Sequence, residues 1–348
     1  MRKPKNILVT GGSGFIGSNF IRILFSSDTF KSVEKVINLD KLTYAGDLKK
    51  NSVYSDNPKY KFIKGDICSE KTVREIINIF CIDTIVNFAA ESHVDNSILH
   101  PDEFIKTNIL GTYNLLKLFN NCDKVSMNKK IFLHVSTDEV FGSLAKDENA
   151  FDEMNRYKPN SPYSASKASS DHLVRAWSKT FNLNTIITNC SNNYGPHQDE
   201  EKLIPKIIKK AIFLEKIPIY GNGENIRDWL FVDDHCKAIL ELILMGKFGE
   251  TYNIGGLNEI KNINIAYKIC DLLSELYPIE KNTLYDPSNT KICSYRDLIN
   301  FVDDRPGHDL RYSINSSKIK NELNWLPSET FETGIRKTIS WYIKELSI

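Results

Sequence analysis

Ile7-Leu-Val-Thr-Gly-Gly-Ser-Gly-Phe-Ile-Gly17 joins a short β-branched run to a glycine-rich turn and then to an apolar segment of helical period, and that order decides the fold. Its glycines satisfy two spacings, Gly12-x-Gly14-x-x-Gly17 and Gly11-x-x-Gly14-x-x-Gly17. Either allows a tight turn and close approach of backbone to a pyrophosphate, whose charge then sits at the N-terminus of a helix beginning near Phe15. Asp40 ends the next β-like run, where an acid accepts hydrogen bonds from ribose hydroxyls. A carboxylate there repels a 2′-phosphate, and the basic residue beside it is Lys41 rather than an arginine, so NAD is expected over NADP. The candidates for cofactor contact are Gly11, Gly14, Phe15, Ile16 and Gly17, then Asp40, Lys41 and Thr43. Asp66 and Ile67 follow the third strand, and Ala89, Ala90 and Ser92 the fourth. Asp66 reads equally well as a helix N-cap.

Outward from this stretch, short β-branched runs alternate with longer helical patterns as far as Cys190. The runs are 7–9, 36–39, 60–63, 84–88, 131–135 and 185–188; helices are expected over 16–24, 70–80, 103–120 and 165–181. That alternation predicts βαβ units, a doubly wound α/β fold whose parallel sheet is buried on both faces. Beyond Cys190 the regularity falls away, with prolines and Gly221-Asn-Gly223 before a strand-like 229–232, a helix from Asp233 and a strand over 251–254. The expected division is an NAD-binding Rossmann domain of residues 1–190 plus 229–255 and a smaller, discontinuous second domain of 191–228 plus 256–348. Residues 277–292 read as a long polar loop.

The 348 residues carry 45 Lys+Arg against 44 Asp+Glu, a formal net charge of +1, so the basic surplus used in non-specific nucleic-acid binding is missing. Met1 to Asn6 run into the first strand without a signal-peptide pattern, and no apolar run reaches membrane-spanning length, which sets the expectation of a cytoplasmic protein that binds neither nucleic acid nor membrane. Seven scattered cysteines without a Cys-x-x-Cys argue against a metal site or disulfide framework.

Tyr163 and Lys167 stand four apart in a predicted helix and so share a face. An ammonium near a phenol stabilises the phenolate, pulling tyrosine down from its ordinary pKa of about 10 and providing a base for a sugar hydroxyl. Asp138 and Glu139 follow the fifth strand, next to Thr137, whose hydroxyl can orient the same substrate oxygen. Oxidation by a Tyr/Lys pair needs neither acid; loss of water needs both. The chemistry indicated is oxidation coupled to elimination.

Thr10-Gly-Gly-Ser-Gly-Phe-Ile-Gly17, Ala89-Ala-Glu-Ser-His-Val-Asp95, Ser136-Thr-Asp-Glu-Val140, Tyr163-Ser-Ala-Ser-Lys167, Asn192-Asn-Tyr-Gly-Pro196, Glu201-Lys-Leu-Ile-Pro205, Arg227-Asp-Trp229 and Asp304-Arg-Pro-Gly-His308 together resemble the dTDP-glucose 4,6-dehydratase family of extended short-chain dehydrogenases/reductases. The resemblance spans almost the whole chain, and its Asp-Glu pair is the specific part, since the related epimerases generally lack both acids. It implies that Thr137, Asp138 and Glu139 act with Tyr163 and Lys167, and that Thr107 and Asn193 also meet tightly bound NAD. For the nucleotide-sugar it points to Ser92, Thr137, Asn192, Lys202, Leu203, Pro218, Ile219, Tyr220, Arg227 and Asn262. It adds the segment Asp304, Arg305, Pro306, Gly307 and His308, and among these Lys202, Arg227 and Arg305 suit a diphosphate.

The implied reaction converts dTDP-α-D-glucose to dTDP-4-dehydro-6-deoxy-α-D-glucose and water, a step of deoxysugar biosynthesis of the dTDP-rhamnose type. The implied assembly is a homodimer through the helices at 103–120 and 165–181. A UDP- or GDP-sugar 4,6-dehydratase is the nearest alternative, with a C4-epimerase behind it. A non-catalytic NAD sensor would be expected to have lost the Tyr/Lys or acid positions. Three departures bear on substrate affinity: Phe141 where the family usually has tyrosine, Asn96 where arginine is common, and His197-Gln-Asp-Glu200 in place of a more aromatic, proline-containing stretch.

Overall fold

The computed structural model describes residues 1–28, 31–288 and 292–346. In chain order the first half runs β1 (Asn6–Thr10), α1 (Phe15–Ser26), β2 (Lys35–Asp40), β3 (Tyr60–Lys64), α2 (Glu70–Ile79), β4 (Thr84–Asn87), α3 (Val94–Leu99), α4 (Pro101–Phe104), α5 (Thr112–Asn120), β5 (Ile131–Thr137), α6 (Pro162–Phe181) and β6 (Thr185–Cys190). The second half runs β7 (Asn192–Tyr194), α7 (Leu203–Ile212), β8 (Ile217–Tyr220), β9 (Ile226–Phe231), α8 (Val232–Met245), β10 (Glu250–Ile254), β11 (Glu259–Lys261), α9 (Asn262–Leu276), β12 (Ile299–Val302), α10 (Ser317–Leu323) and α11 (Phe331–Glu345).

Seven strands form one parallel sheet in the order β3-β2-β1-β4-β5-β6-β10. Helices cover both faces. Phe20, Ile21, Ile239 and Ile243 of α1 and α8 fill one side, and Ile76, Leu116, Phe119 and Val174 of α2, α5 and α6 the other. This double burial is why the strands read as continuous apolar runs, each fully buried large side chain contributing about 1.5–3 kcal/mol. The strand order reverses between β1 and β4, which opens a crevice above the carboxyl ends of the sheet.

After β6 the chain builds a three-stranded sheet, β11-β9-β7, and a parallel pair, β12-β8. Isoleucines of α7, α9 and α11 pack into a second core that includes Ile204, Ile208, Ile265, Ile269, Ile335 and Ile339. Between β9 and β11 the chain re-enters the large sheet through α8 and β10, and α10 brings Ile319 back against that first core.

The outline differs from the sequence reading in places. The helix expected over 103–120 begins at Pro101 and is π-helical over Ile105–Gly111. The helix expected from Ala165 begins at Pro162, because Ser161 and Ser164 form a capping box and proline suits a first helical position. Asp66 is not a helix cap: Ser69 caps α2, while Asp66 accepts from Cys68 N at 2.8 Å and pairs with Lys41 at 3.1 Å. The loop expected over 277–292 holds a 3-10 turn, Ile279–Lys281, with Ile279 buried and Asn282 donating to Ile212 O at 2.7 Å; its residues 289–291 lie outside the described residues. Among the described residues no helix is long and apolar enough to cross a membrane, no cluster of three or more His, Cys, Asp or Glu could hold a metal, and no disulfide forms.

Candidate active site

A cavity of about 300 Å³ occupies the crevice, and every residue expected to meet the dinucleotide lines it. Gly11 sits at φ +68°, and a Cβ there would come within 2.7 Å of Ala89 N; at Gly17 a Cβ would collide with the Gly11 carbonyl. The backbone thus closes to a radius that no other residue permits, and α1 opens at Gly14 with no side-chain cap over its N–H groups. A pyrophosphate fits that uncapped turn. Asp40 is held rigidly, Oδ2 accepting from Ser13 N at 2.9 Å and Oδ1 from Leu42 N at 2.8 Å, at the place a ribose diol requires. Thr107 reaches the cavity from the π-helical turn, where Asn108 clamps Glu91 N at 2.9 Å, Glu91 O at 3.0 Å and Ser166 Oγ at 2.8 Å. Gly46, Gln198 and Asp199 also line it and were not anticipated. Only the Ala-Gly pair that follows Thr43 and Tyr44 hinted at the first.

Thr137 ends β5 and caps the 3-10 turn Asp138–Phe141, its Oγ1 accepting from Glu139 N at 3.3 Å. One strand end therefore delivers both acids into the cavity that Tyr163 and Lys167 enter from α6. Burial pushes the Asp138 carboxyl well up, and the charges of Glu139 and Asp228 push it further against the pull of Arg227. Its Oδ2 is buried without a hydrogen-bond partner. Burial also raises Glu139, but Arg305, Arg227 and Lys202 all draw it back toward the ionised form.

The phenol differs from the sequence expectation. Burial holds Tyr163 well above its ordinary pKa, with Glu139 adding to the rise and a hydrogen bond with Thr137 opposing it. Lys167 Nζ donates to Val135 O at 2.8 Å and lies 3.5 Å from His134 Nε2. A buried ammonium itself loses pKa, so proximity alone does not activate the tyrosine.

A second cavity of about 190 Å³ adjoins the first, and Ser92, Glu139, Asn192, Glu201 and Lys202 line both. Leu203, Pro218, Ile219, Tyr220, Arg227, Asn262, Arg305 and His308 line it as expected. Asp304, Pro306 and Gly307 do not; Asp304 instead meets His308 Nδ1 at 2.6 Å. The buried Arg227 guanidinium lies 4.1 Å from the centre of the Tyr312 ring and donates to Asp309 O at 2.9 Å. Arg305 Nη1 is 3.4 Å from Asp95 Oδ1, and Tyr220 OH donates to Asp95 Oδ2 at 3.2 Å. Tyr312 escaped the sequence reading because a lone tyrosine after a loop carries no signal of its own, and Asp95, although it ends the Ala89–Asp95 motif, was assigned no contact.

The departures fall on different surroundings. Phe141 is buried behind the acids, its ring 5.2 Å from Phe151 and 5.1 Å from Tyr157. Gln198 and Asp199 face the cofactor cavity rather than the second one. Asn96 lies in α3, its backbone N–H donating to His93 Nδ1 at 3.2 Å.

A family profile described as GDP-mannose 4,6 dehydratase matches residues 8–338. A dTDP-glucose 4,6-dehydratase of Shigella flexneri is 50% identical over 349 residues, covering 97% of this chain and 92% of that protein. The crystal structure of a dTDP-glucose 4,6-dehydratase from Streptomyces venezuelae with NAD bound superposes with a TM-score of 0.88 at 38% identity, covering 98% of each chain. One from Bacillus anthracis in complex with NAD gives 0.84 at 42% identity, covering 99% of this chain and 98% of that one.

Proposed function

This chain belongs to the dTDP-glucose 4,6-dehydratase family, and we propose that Thr137, Asp138, Glu139, Tyr163 and Lys167 divide that family's reaction between them. The enzyme is an NAD-dependent hydro-lyase that converts dTDP-α-D-glucose to dTDP-4-dehydro-6-deoxy-α-D-glucose and water. The observation that carries the division of labour is that Glu139 lines both cavities, so the acids stand where a sugar entering from one side meets the cofactor from the other.

Bound NAD supplies the redox chemistry, taking a hydride from C4 of the sugar and returning it to C6. Tyr163, as phenolate beside the Lys167 ammonium, removes the C4 hydroxyl proton while Thr137 orients that oxygen. The 4-keto group so formed acidifies the hydrogen on C5. Glu139, which burial raises and the charges of Arg305, Arg227 and Lys202 draw back toward the ionised form, takes that proton. Asp138, kept protonated by burial and by two nearby carboxylates, gives its proton to the C6 hydroxyl, which leaves as water. Glu139 then returns its proton to C5. The proton gained by Tyr163 equals the one lost by Asp138, so exchange through solvent restores both.

The division of the chain into a cofactor domain of 1–190 plus 229–255 and a nucleotide-sugar domain of 191–228 plus 256–348 belongs to the same proposal. So does a cytoplasmic homodimer joined through 103–120 and 165–181. Ile105, Leu110, Tyr113 and Phe181 leave apolar surface exposed on that pair of helices, which favours the dimer. Turnover with a panel of dTDP-, UDP- and GDP-hexoses, read by mass for loss of water, tests the reading. Release of 6-deoxy-4-keto product from the dTDP-sugar is expected. An epimer without water loss would overturn the roles given to Asp138 and Glu139.

A further inference from the structure

Asp171 lies one turn beyond Lys167 on α6 and is 2% exposed. Its Oδ2 accepts from Ser136 Oγ at 2.8 Å, while its Oδ1 has no hydrogen-bond partner and lies 3.4 Å from His134 Nε2. His134, equally buried in β5, has the same Nε2 3.2 Å from Ser170 Oγ and 3.5 Å from Lys167 Nζ. Its Nδ1 meets Asn87 Nδ2 at 3.0 Å, and Asn87 is fixed in turn by Thr10 Oγ1, which donates to its Oδ1 at 2.6 Å. A polar chain thus runs from the start of the glycine turn, through β4 and β5, to the carboxylate one helical turn from the lysine. A buried ammonium with no counter-charge sheds its proton, and a buried carboxylate with no counter-charge takes one up.

We propose that Asp171, aligned through His134, is the counter-ion that keeps Lys167 charged, and so is a positioning residue for the oxidation at C4. This rests on the reading of Tyr163 and Lys167 as the oxidising pair. Burial pulls Lys167 down and Asp171 is the largest influence raising it; burial pushes Asp171 up to about 7, with Lys167 the largest influence opposing that. The other titratable groups facing the pair are neutral: His134 on β5, pulled well down, Cys190 on β6, pushed up to about 12, and Tyr157 from the preceding loop, pushed up by burial and by the charge of Asp171 against the pull of Arg175. Asp138 and Glu139, at the end of β5, act on Tyr163 rather than on the lysine. With Asp171 ionised, the pair that has lost one proton is phenolate and ammonium. Without it, the same proton count shifts toward neutral phenol and neutral amine, which cannot take the C4 proton.

The test uses the holoenzyme and dTDP-glucose, following reduced cofactor by stopped flow across pH, together with thermal unfolding of Asp171→Asn, Lys167→Met and the double variant. Asp171→Asn is expected to lower the plateau rate roughly ten-fold or more, one pKa unit of differential interaction, and to move the acid limb to lower pH. A purely structural role would lower the rate without moving that limb. In unfolding, which needs no turnover, Asp171→Asn should lower Tm in the parent but raise it in the Lys167→Met background, where the carboxylate has lost its counter-charge. An unmoved acid limb, or the same fall in Tm in both backgrounds, overturns the proposal. If the parent reduces no cofactor with dTDP-glucose, the functional reading fails instead, and the unfolding cycle still decides the coupling.

Discussion

The α6 side and the β5 side of the reaction chamber each bury ionisable groups completely, and they treat them in opposite ways. On α6, Lys167 is pulled toward its neutral form by burial, and a carboxylate one turn away opposes the pull. On the turn after β5, Asp138 is pushed toward its neutral form by burial, and two further carboxylates add to the push. Burial supplies one bias to both sides; the sign of the nearest charge decides which form survives. An oxidising base needs its cation kept, and a general acid needs its proton kept.

The contrast breaks most visibly if the base is removed. Tyr163→Phe should cut formation of reduced cofactor by about 10⁴-fold, the upper range of general base catalysis, while the helix and ring packing remain. Transient absorbance of NADH measures it, and an unimpaired transient would assign the base elsewhere. Asp138→Asn should leave that transient in place and slow water loss by about 10²-fold, with a 6-fluoro sugar, whose leaving group needs no proton, restoring most of the rate. Equal slowing on both sugars would make Asp138 an orienting residue.

A smaller effect is expected from the charges that hold the substrate. Arg305→Ala removes a charged hydrogen-bond donor, a loss of about 1.5–3 kcal/mol, and should raise KM for the nucleotide-sugar roughly ten-fold or more with kcat for oxidation little changed. A matched fall in kcat would show that Arg305 acts on the reacting carbons. The smallest effect sharpens the acid side. The folded pKa of Asp138 is raised above its unfolded value, so the native state keeps a proton that the unfolded chain releases once pH passes the ordinary carboxylate range. Stability from this group is whole below that range and is lost as pH rises through the folded value. Asn does not titrate, so the Tm of Asp138→Asn should gain on the parent steadily from acidic to alkaline pH. A constant difference would mean that Asp138 is ionised in the native protein.

The first six strands and their helices were legible because burial on both faces leaves apolar runs of a length only strands use, and the glycine turn was legible because its crowding forbids side chains. β7, β8, β11 and β12 were missed, being three or four residues each with no room for a period. Tyr163, Lys167, Asp138 and Glu139 stand in contiguous motifs that mark them in sequence. His134 and Asp171 were invisible for the opposite reasons: one interrupts an apolar strand as a single polar residue, and the other sits in a helix that also turns the charges of Arg175 and Lys179 to solvent. Their pairing exists only in three dimensions, across 37 positions of chain. Asp40 was recognisable, but not the two backbone N–H groups that fix it.

The π-helical turn over Ile105–Gly111 sets a rotational phase. Each α-helical residue advances the side-chain direction by about 100°, and a π turn holds roughly one residue more than an α turn. Winding the same residues as a uniform α-helix would therefore leave α4 and α5 unchanged as helices while swinging everything after the turn by about 100° about the axis. Thr107 lines the chamber and Asn108 is bonded to Ser166 of α6, while Leu115, Leu116 and Phe119 face the sheet, so no uniformly α-helical register could serve both. The extra residue works as a fixed offset between two gears cut on one shaft: the end that touches the reaction and the end that packs the protein are each in step with their own partners, and only the offset keeps them so.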